Sequence, residues 1–320
     1  MTGKDLRIVF MGTPDFAVAS LAALVENGYQ VVGVITAPDK PAGRGRRLQE
    51  SAVKKYASEK GLRLLQPEKL KNPAFIEELE SLKADLQVVV AFRMLPEVVW
   101  RMPRLGTFNL HGSLLPQYRG AAPLNWAVIN GEKETGVTTF LLSHEIDTGA
   151  ILFHEKTPIQ ENDTVGDIHD RLMGIGAQLV VKTVDALGEG NYSAIAQDKI
   201  QTTKLKPAPK IFKEDCRINW SQEGEQIRNL IRGLSPYPAA WTELLDEKGQ
   251  PLTLKIFFAE LEKADKLIPG TIESDEKTYL KIASADSWLH ITDLQLSGKK
   301  RMKTEDFLRG YHGINKLKTN

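Results

Sequence analysis

The sequence contains very little cysteine, since Cys216 is the single one among 320 residues. One thiol excludes an internal disulfide framework, and the acidic neighbours Glu214 and Asp215 favour a packed thiol over a nucleophile. The six histidines are scattered, and none has an HxH or HExxH spacing with a third ligand nearby. The sequence therefore predicts no metal site.

Long apolar runs and a strong net charge are also missing. No stretch is apolar and long enough to cross a bilayer, and residues 1–5 lead directly into a short apolar strand without a signal-peptide pattern. We therefore expect a cytoplasmic protein with no membrane partner. A formal net charge of +1 neither favours nor excludes a polyanionic partner, because nucleic-acid binding depends on where the cations lie.

What is present is enough apolar sequence for two ordinary cores, with 42% hydrophobic and 26% charged residues. A chain of 320 residues exceeds the usual size of one domain. Composition changes after residue 188, and residues 201–210 are rich in lysine, threonine and proline, which is typical of an extended linker. We predict a first domain at residues 1–189, a basic linker at 190–210 and a second domain at 211–320.

The first half alternates apolar strands with helical patterns. Strands are predicted at residues 6–11, 29–36, 62–66, 85–91 and 107–111, with helices after Gly12, at 52–60 and at 75–82. Thr13 is the predicted cap of the first helix and Pro14 its first residue. Nearly unbroken apolar strands are typical of a Rossmann-like, mostly parallel sheet covered on both faces, with sites beyond the carboxyl ends of strands. The first turn lacks GxGxxG, which disfavours a nicotinamide cofactor.

The last third of the sequence consists of shorter apolar segments. A helix is predicted at residues 224–232, followed by short strands at 240–245, 252–259, 270–272, 279–283 and 289–296. Short strands separated by turn residues predict a small antiparallel β-barrel.

The most informative run extends from Phe108 to Gly120 and is complemented by Asp147. Asn109 and His111 are two residues apart on a predicted strand, so both side chains project from one face. An amide and an imidazole can both donate hydrogen bonds to an oxygen that gains negative charge during acyl transfer. A carboxylate beside the imidazole would orient it and assist removal of a proton from an attacking amine. This set of side chains suits the transfer of a small acyl group.

The motif Asn109-x-His111-x-Ser113-Leu114-Leu115-Pro116-x-Tyr118-Arg119-Gly120, followed by Asp147-Thr148-Gly149, resembles the signature of enzymes that take formyl from 10-formyltetrahydrofolate. The resemblance implies a catalytic trio of Asn109, His111 and Asp147. It also implies that the loop formed by Ser113, Leu114, Leu115 and Pro116 holds the folate co-substrate.

Three more features extend the resemblance to the methionyl-tRNA formyltransferase family, and the resemblance then covers nearly the whole chain. They are the glycine- and proline-rich loop at residues 37–47, the basic linker, and the appended barrel, which is similar to the oligonucleotide-binding (OB) type. The family implies initiator methionyl-tRNA as the acceptor, and we expect the protein to be a monomer. The side chains expected to bind that tRNA are Arg44, Arg46, Arg47, Lys204, Lys206 and Lys210.

The loop is suited to this role because its guanidinium groups can pair bidentately with phosphates. One departure concerns the segment beside the folate, where related sequences usually read Val-Val-Ala-Tyr-Gly-x-x-Leu-Pro. Here Phe92 and Arg93 replace tyrosine and glycine in a tighter segment, which leaves the pterin contacts there open.

Other functions stay open at this point. A formyltransferase could act on a small amine, such as an amino sugar nucleotide or glycinamide ribonucleotide, but would not need the loop with Arg44, Arg46 and Arg47. Water as the acceptor would leave the basic second domain unexplained. A noncatalytic RNA-binding module is a further alternative, against which the intact Asn109, His111 and Asp147 argue.

Overall fold

The computed structural model describes residues 2–42, 47–200 and 204–319, which divide into two compact units. The first unit comprises the described residues of Met1–Gly120, Thr135–Thr157 and His169–Pro207, and the second those of Ala121–Glu134, Pro158–Ile168 and Ala208–Asn320. The division of the chain at residues 189 and 210 stays a prediction.

The first unit contains a mostly parallel sheet and a separate two-stranded hairpin. The strands are β1 (Arg7–Gly12), β2 (Gln30–Ile35), β3 (Lys40–Ala42), β4 (Arg47–Gln49), β5 (Leu64–Leu65), β6 (Leu86–Val90), β7 (Thr107–His111), β8 (Glu134–Leu141) and β9 (Ile151–Pro158). Among the described residues the sheet order is β5-β2-β1-β6-β7-β8-β9, while β3 and β4 pair separately. The pairs β1–β2, β1–β6, β2–β5 and β6–β7 are parallel, and β7–β8 is antiparallel. The predicted Rossmann-like sheet is confirmed.

The described helices are α1 (Asp15–Glu26), α2 (Ala52–Glu59), α3 (Pro73–Ser81), α4 (Glu97–Trp100), α5 (Pro123–Ile129), α6 (Val165–Glu189), α7 (Gly224–Leu234) and α8 (Thr304–Gly310). Two of them, α2 and α3, begin after a side chain that caps the first turn. Short 3-10 turns occur at Gly3–Asp5, Gln197–Lys199, Glu214–Cys216 and Ile314–Lys316. Ser51 caps α2 by accepting a hydrogen bond from the amide of Lys54 at 3.0 Å. The predicted start of α1 is wrong by one residue, because Pro14 stays extended, with ψ 175°, and occupies the cap position instead of Thr13.

The core of the first unit explains the unbroken apolar strands. All five residues of β6 are buried, as both faces of this central strand are covered. On β7, Leu110 points toward α6, where a Cβ placed on Gly176 would lie 2.7 Å from Leu110 Cδ2. The absence of a side chain at Gly176 therefore allows α6 to approach β7 closely.

The second unit contains an antiparallel, barrel-like sheet. Its strands are β10 (Ala240–Leu245), β11 (Pro251–Lys263), β12 (Ile272–Ser274), β13 (Leu280–Ala283), β14 (Ser287–Leu296), β15 (Met302–Lys303) and β16 (Lys318–Thr319). Within the described residues they are ordered β12-β13-β14-β11-β10-β16, and β15 pairs with β14. Ile227 and Ile231 on the apolar face of α7 join Leu254 and Leu294 in the buried core. The predicted small barrel is confirmed.

Candidate active site

Asn109 and His111 lie on β7, with Leu110 between them on the other face. In the sheet, Asn109 is opposite Val89 of β6 and Phe140 of β8. Because side chains alternate along a strand, Asn109 and His111 share the face directed away from Leu110. The strand also ends at His111, as expected for a residue at the edge where parallel strands present their carboxyl ends.

The side-chain amide of Asn109 is not fully satisfied. Its Oδ1 is buried, and among the described residues it has no hydrogen-bond partner. An unpaired buried polar atom costs about 1–3 kcal/mol. A substrate group that hydrogen bonds to this amide would remove that cost, with either end of the amide able to face it after rotation.

The imidazole of His111 is fixed from one side. The main-chain carbonyl oxygen of Tyr118 accepts a hydrogen bond from Nε2 at 2.9 Å, so that nitrogen carries a hydrogen. The residue is 7% exposed, and its ring lies at 83° to the ring of Phe140 with centroids 6.4 Å apart. Nδ1 is therefore the ring nitrogen left for reacting groups.

The loop between β8 and β9 brings Asp147 to the imidazole. Its Oδ2 lies 3.8 Å from Nδ1 of His111, and the same oxygen accepts a hydrogen bond from the amide of Gly120 at 2.9 Å. Asp147 has φ 55°, a left-handed conformation that is uncommon for a residue with a Cβ. The structure thus brings together Asn109, His111 and Asp147, although Asp147 is 36 positions from His111 in the chain.

The loop expected to hold folate is itself held by internal hydrogen bonds. The hydroxyl of Ser113 donates to the carbonyl oxygen of Gln117 at 2.6 Å. Thr138 on β8 donates from Oγ1 to the carbonyl of Ser113 at 2.6 Å, and that Oγ1 accepts from the amide of Leu115 at 3.1 Å. Ser113 is therefore occupied in shaping the loop.

The apolar residues of this loop differ in exposure. Leu115 and Pro116 are buried, and Leu115 packs with Phe140 and Ile151, whereas Leu114 is half-buried. The peptide bond between Leu115 and Pro116 is cis. The assignment of folate contacts to these four residues stays a prediction.

Two polar residues to which the sequence pattern assigned no role complete the surroundings of Asp147. Gln197 donates from Nε2 to the carbonyl oxygens of Asp147 and Gly149, at 2.9 and 2.8 Å. Its Oε1 accepts from Nε and Nη2 of Arg119 at 3.1 and 2.7 Å. Arg119 was visible in the motif, but Gln197 lies far from it in sequence and in no recognisable pattern.

The basic segment (residues 204–210) carries three of the predicted tRNA-binding lysines, all exposed. The side chain of Gln117 donates to the carbonyl of Lys204 at 2.9 Å and accepts from the amide of Lys206 at 2.8 Å. The carbonyl of Lys206 also accepts from the amide of Tyr118 at 2.7 Å. The main chain at Lys204 and Lys206 is therefore held beside the loop that follows β7. Lys210 has its Nζ 5.3 Å from the ring centre of Phe212.

The predicted arginine loop is only partly described. Arg44 and Arg46 lie outside the described residues, and for Arg47 the structure gives the main chain at the start of β4. Strands β3 and β4 pair antiparallel and form the stem that leads to this loop. At its base, Asp39 accepts hydrogen bonds from Nζ of Lys54 and, at 2.9 Å, from Nε2 of Gln66.

Arg93, which stands where related sequences usually have glycine, bonds to main-chain carbonyl oxygens. Its Nη1 donates to the carbonyl of Glu68 at 2.8 Å, and Nη2 donates to the carbonyl of Pro67. Partial burial lowers the pKa of the Arg93 guanidinium below its ordinary value. Arg93 therefore links the segment after β6 to the segment after β5, in place of the glycine usual in related sequences.

Two other kinds of feature are absent from the described part of the chain. Within residues 2–42, 47–200 and 204–319, no three histidine, cysteine, aspartate or glutamate side chains are grouped so as to hold a metal ion. None of the helices described is long and apolar enough to span a membrane.

Comparison with protein families gives two matches. The model of the formyl transferase family matches residues 6–184. The model of the formyl transferase C-terminal domain matches residues 210–312. Together they cover both the sheet with the candidate site and the barrel.

Similar proteins match nearly the whole chain. Methionyl-tRNA formyltransferase of Parabacteroides distasonis is 61% identical over 318 residues, covering 98% of both chains. The enzyme of that name from Bacteroides fragilis is 59% identical over 314 residues, covering 98% of this chain and 97% of its own. Among solved structures, the N-formyltransferase of Helicobacter canadensis with folinic acid and dTDP-3-aminofucose has a TM-score of 0.65 at 22% identity, covering 89% of this chain and 99% of its own. That likeness shows the fold.

Proposed function

The chain belongs to the methionyl-tRNA formyltransferase family, and we propose that it transfers a formyl group from 10-formyltetrahydrofolate to methionyl initiator tRNA. The product is N-formylmethionyl-tRNA for translation initiation. The observation that carries the proposal is the meeting of Asn109, His111 and Asp147 at the end of β7, in a chain 61% identical to a protein of that name.

The reaction begins when the α-amino group of the esterified methionine attacks the formyl carbon. A carbon–nitrogen bond forms and the carbonyl oxygen gains negative charge. Asn109 stabilises this oxygen, as does Nδ1 of His111, which donates only when the ring is doubly protonated because Nε2 already bonds to Tyr118. The carboxylate of Asp147 lies 3.8 Å from Nδ1, on the side of the ring that faces the reacting groups.

Collapse of the intermediate breaks the bond between the formyl carbon and N10, and tetrahydrofolate leaves. The attacking nitrogen loses a proton and N10 gains one. Asp147 assists removal of that proton from the amine, either directly or through water. Each charge that develops during the reaction is stabilised by at least one of the three side chains.

The side-chain amide of Asn109 gives the site a group that can bind the reacting molecules. The unpaired Oδ1 of Asn109 is an acceptor to which the attacking amine can donate, while Nδ2 of the same amide can donate to the formyl oxygen. We assign the folate to the loop of Ser113, Leu114, Leu115 and Pro116. A folate co-substrate, although not its contacts, is also supported by the fold that the chain shares with HypX of Aquifex aeolicus in complex with tetrahydrofolic acid, at a TM-score of 0.64 and 20% identity, covering 98% of this chain and 51% of that chain.

The acceptor is bound through phosphates. We assign this role to Arg44, Arg46, Arg47, Lys204, Lys206 and Lys210, together with the barrel of the second unit. The exposed lysines of the basic segment support the assignment, as does the hairpin stem at residues 40–49. We further propose that the protein acts as a monomer in the cytoplasm, with domains divided near residues 189 and 210.

One assay tests the proposal. Labelled 10-formyltetrahydrofolate is incubated with the full chain and either charged initiator tRNA, uncharged tRNA or an amino sugar nucleotide. Label is expected on the charged initiator tRNA alone. Label on the amino sugar nucleotide, with none on tRNA, would overturn the proposal in favour of a small-amine acceptor.

A further inference from the structure

We propose that Gln197 is a positioning residue that fixes Asp147 beside His111. Gln197 lies between the two segments that match family models, at residues 6–184 and 210–312. The sequence pattern in this region indicated only a linker. The proposal rests on the proposed role of Asp147 in formyl transfer, and it adds a residue that acts on the reaction without touching the substrate.

Every hydrogen-bonding position of the Gln197 amide is used. Nε2 has two hydrogens, and they go to the carbonyl oxygens of Asp147 at 2.9 Å and Gly149 at 2.8 Å. Oε1 accepts from two nitrogens of Arg119, at 3.1 and 2.7 Å. The side chain is 4% exposed, so water does not replace these bonds freely. Reversing the amide would set two carbonyls against an oxygen and the guanidinium against an amino group.

The turn that Gln197 holds has little freedom of its own. Asp147 is left-handed with φ 55°, and a Cβ at Gly149 would lie 1.6 Å from the carbonyl oxygen of Leu141. Left-handed backbone persists in non-glycine residues only where the surroundings enforce it. The two bonds from Gln197 hold the carbonyls on either side of Thr148 and thereby supply this constraint.

Fixing the main chain of Asp147 fixes its carboxylate. Oδ2 is held at 2.9 Å by the amide of Gly120, whose neighbour Arg119 holds Gln197. The result is a closed ring of contacts from Arg119 through Gln197 and Asp147 to Gly120. With the ring intact, Oδ2 lies 3.8 Å from Nδ1 of His111.

Gln197 is also held from its own side of the chain. Ile195 and Ile151 of β9 exchange both main-chain hydrogen bonds, each 2.8 Å long. This bridge lies two residues before Gln197 and places it against the turn. The segment at residues 195–197 is therefore part of the support of the candidate active site.

Steady-state kinetics of formyl transfer with the full chain test the proposal. Gln197→Leu removes all four bonds, and Gln197→Glu keeps the shape and the bond to Arg119 but replaces the donor with an oxygen. Both variants are expected to lower kcat roughly 10- to 100-fold, since misplacing a catalytic group by about 1 Å has an effect of this size. KM for tRNA and for the folate is expected to change less than about threefold.

A double-mutant cycle separates positioning from a general structural role. In an Asp147→Asn background, Gln197→Leu is expected to lower kcat less than about threefold further, because residues that act as a unit are not additive. An equal loss in both backgrounds would overturn the proposal. Gln197→Glu keeps the size of the side chain and serves as the second variant in case Gln197→Leu folds poorly. Wild-type kcat in folded Gln197→Glu would also overturn the proposal.

Two control variants lie in the same unit. Asp198→Asn changes an exposed neighbour on the same 3-10 turn, and is expected to leave kcat unchanged. Thr183→Val breaks the buried pair between Thr183 and Thr139, 2.9 Å apart, and is expected to lower Tm but not kcat. If the wild type transfers no formyl group, the proposed function fails. If wild type and Asp147→Asn behave as proposed but the Gln197 variants match wild type, the positioning role alone fails.

Discussion

The main-chain carbonyl oxygen of Tyr118 lies 2.9 Å from Nε2 of His111 and thereby determines which side of the imidazole meets the substrate. Tyr118 itself has φ 59°, and its amide is bonded to Lys206. The imidazole is thus oriented by main chain, which a substitution at residue 118 would not remove.

Removal of either proposed oxyanion donor should cause a large loss of turnover. Asn109→Ala and His111→Ala are each expected to lower kcat by roughly 100- to 1000-fold, or about 3 kcal/mol of transition-state stabilisation. Single-turnover formyl transfer measures this directly. His154→Ala, at an exposed histidine of β9, should be neutral. Near-normal turnover in Asn109→Ala or His111→Ala would show that the residue concerned has another role.

Asp147→Asn should reduce kcat while preserving the hydrogen bond from the Gly120 amide, because an asparagine oxygen can accept it. The substitution removes the negative charge 3.8 Å from the imidazole. We expect kcat to fall by about 100-fold or less, a smaller loss than for His111→Ala. A loss confined to the KM for folate would instead indicate a binding role for Asp147.

The arginine loop should govern the affinity for tRNA. A triple Arg44→Ala, Arg46→Ala, Arg47→Ala variant is expected to raise the KM for tRNA and to reduce the dependence of binding on salt, by about 0.9 in logarithmic slope for each phosphate that is no longer neutralised. Filter binding over a series of salt concentrations measures that slope. The matched control replaces Arg63 and Arg101, both exposed. Unchanged acceptor kinetics in the triple variant would favour a small amine as the substrate.

Gln117 should contribute to tRNA binding without contacting the tRNA. Its side chain pairs with the main chain at Lys204 and Lys206, at 2.9 and 2.8 Å. Gln117→Ala is expected to weaken tRNA binding by roughly 3- to 10-fold. Without the Gln117 side chain, the main chain at Lys204 and Lys206 becomes ordered only when tRNA binds, and this ordering costs free energy. Gln30→Ala, which removes a bond from an exposed amide to the carbonyl of Lys4 at 3.2 Å, is the control. Equal tRNA affinity for both variants would contradict the prediction.

Stability should depend on pH through Asp39. Hydrogen bonds from Lys54 and then Gln66 lower the pKa of Asp39 below its ordinary value. Its contribution is therefore fully present above the unfolded pKa of about 4 and is lost as pH falls through the lower folded pKa. We expect wild type to exceed Asp39→Asn in free energy of unfolding at pH 7, and the difference to vanish in acid. A difference that stays constant from neutral to acid pH would contradict this assignment.

The elements with a regular pattern were predictable from sequence. The strand at residues 107–111 is found with those bounds, because glycines at 106 and 112 delimit it and Gly106 has φ 82°. The strand at 240–245 is also found as predicted. The short α8 and the paired β3 and β4 were not predicted. An element of so few residues shows no measurable hydrophobic periodicity.

The residues of the candidate site were predictable where they lie close together in the sequence or belong to a recognisable motif. Asn109 and His111 share a strand, and Asp147 occurs in a recognisable turn. Gln197 could not be found in this way, because it contacts residues about 50 positions away through one amide in an aperiodic stretch. Nor does a hydrophobic pattern indicate that Gln117 pairs with main chain at Lys204.

The bridge between Ile195 and Ile151 has a practical consequence for exchanging acceptor specificity among relatives. A hybrid joined near residue 189 would bring residues 195–197 from the foreign partner, along with whatever side chain stands where Gln197 does here. Because the first unit extends to Pro207, a junction placed after that residue keeps the native support of the reactive carboxylate. Hybrids of the two kinds, made from the same parents, should differ in turnover far more than in which acceptor they choose.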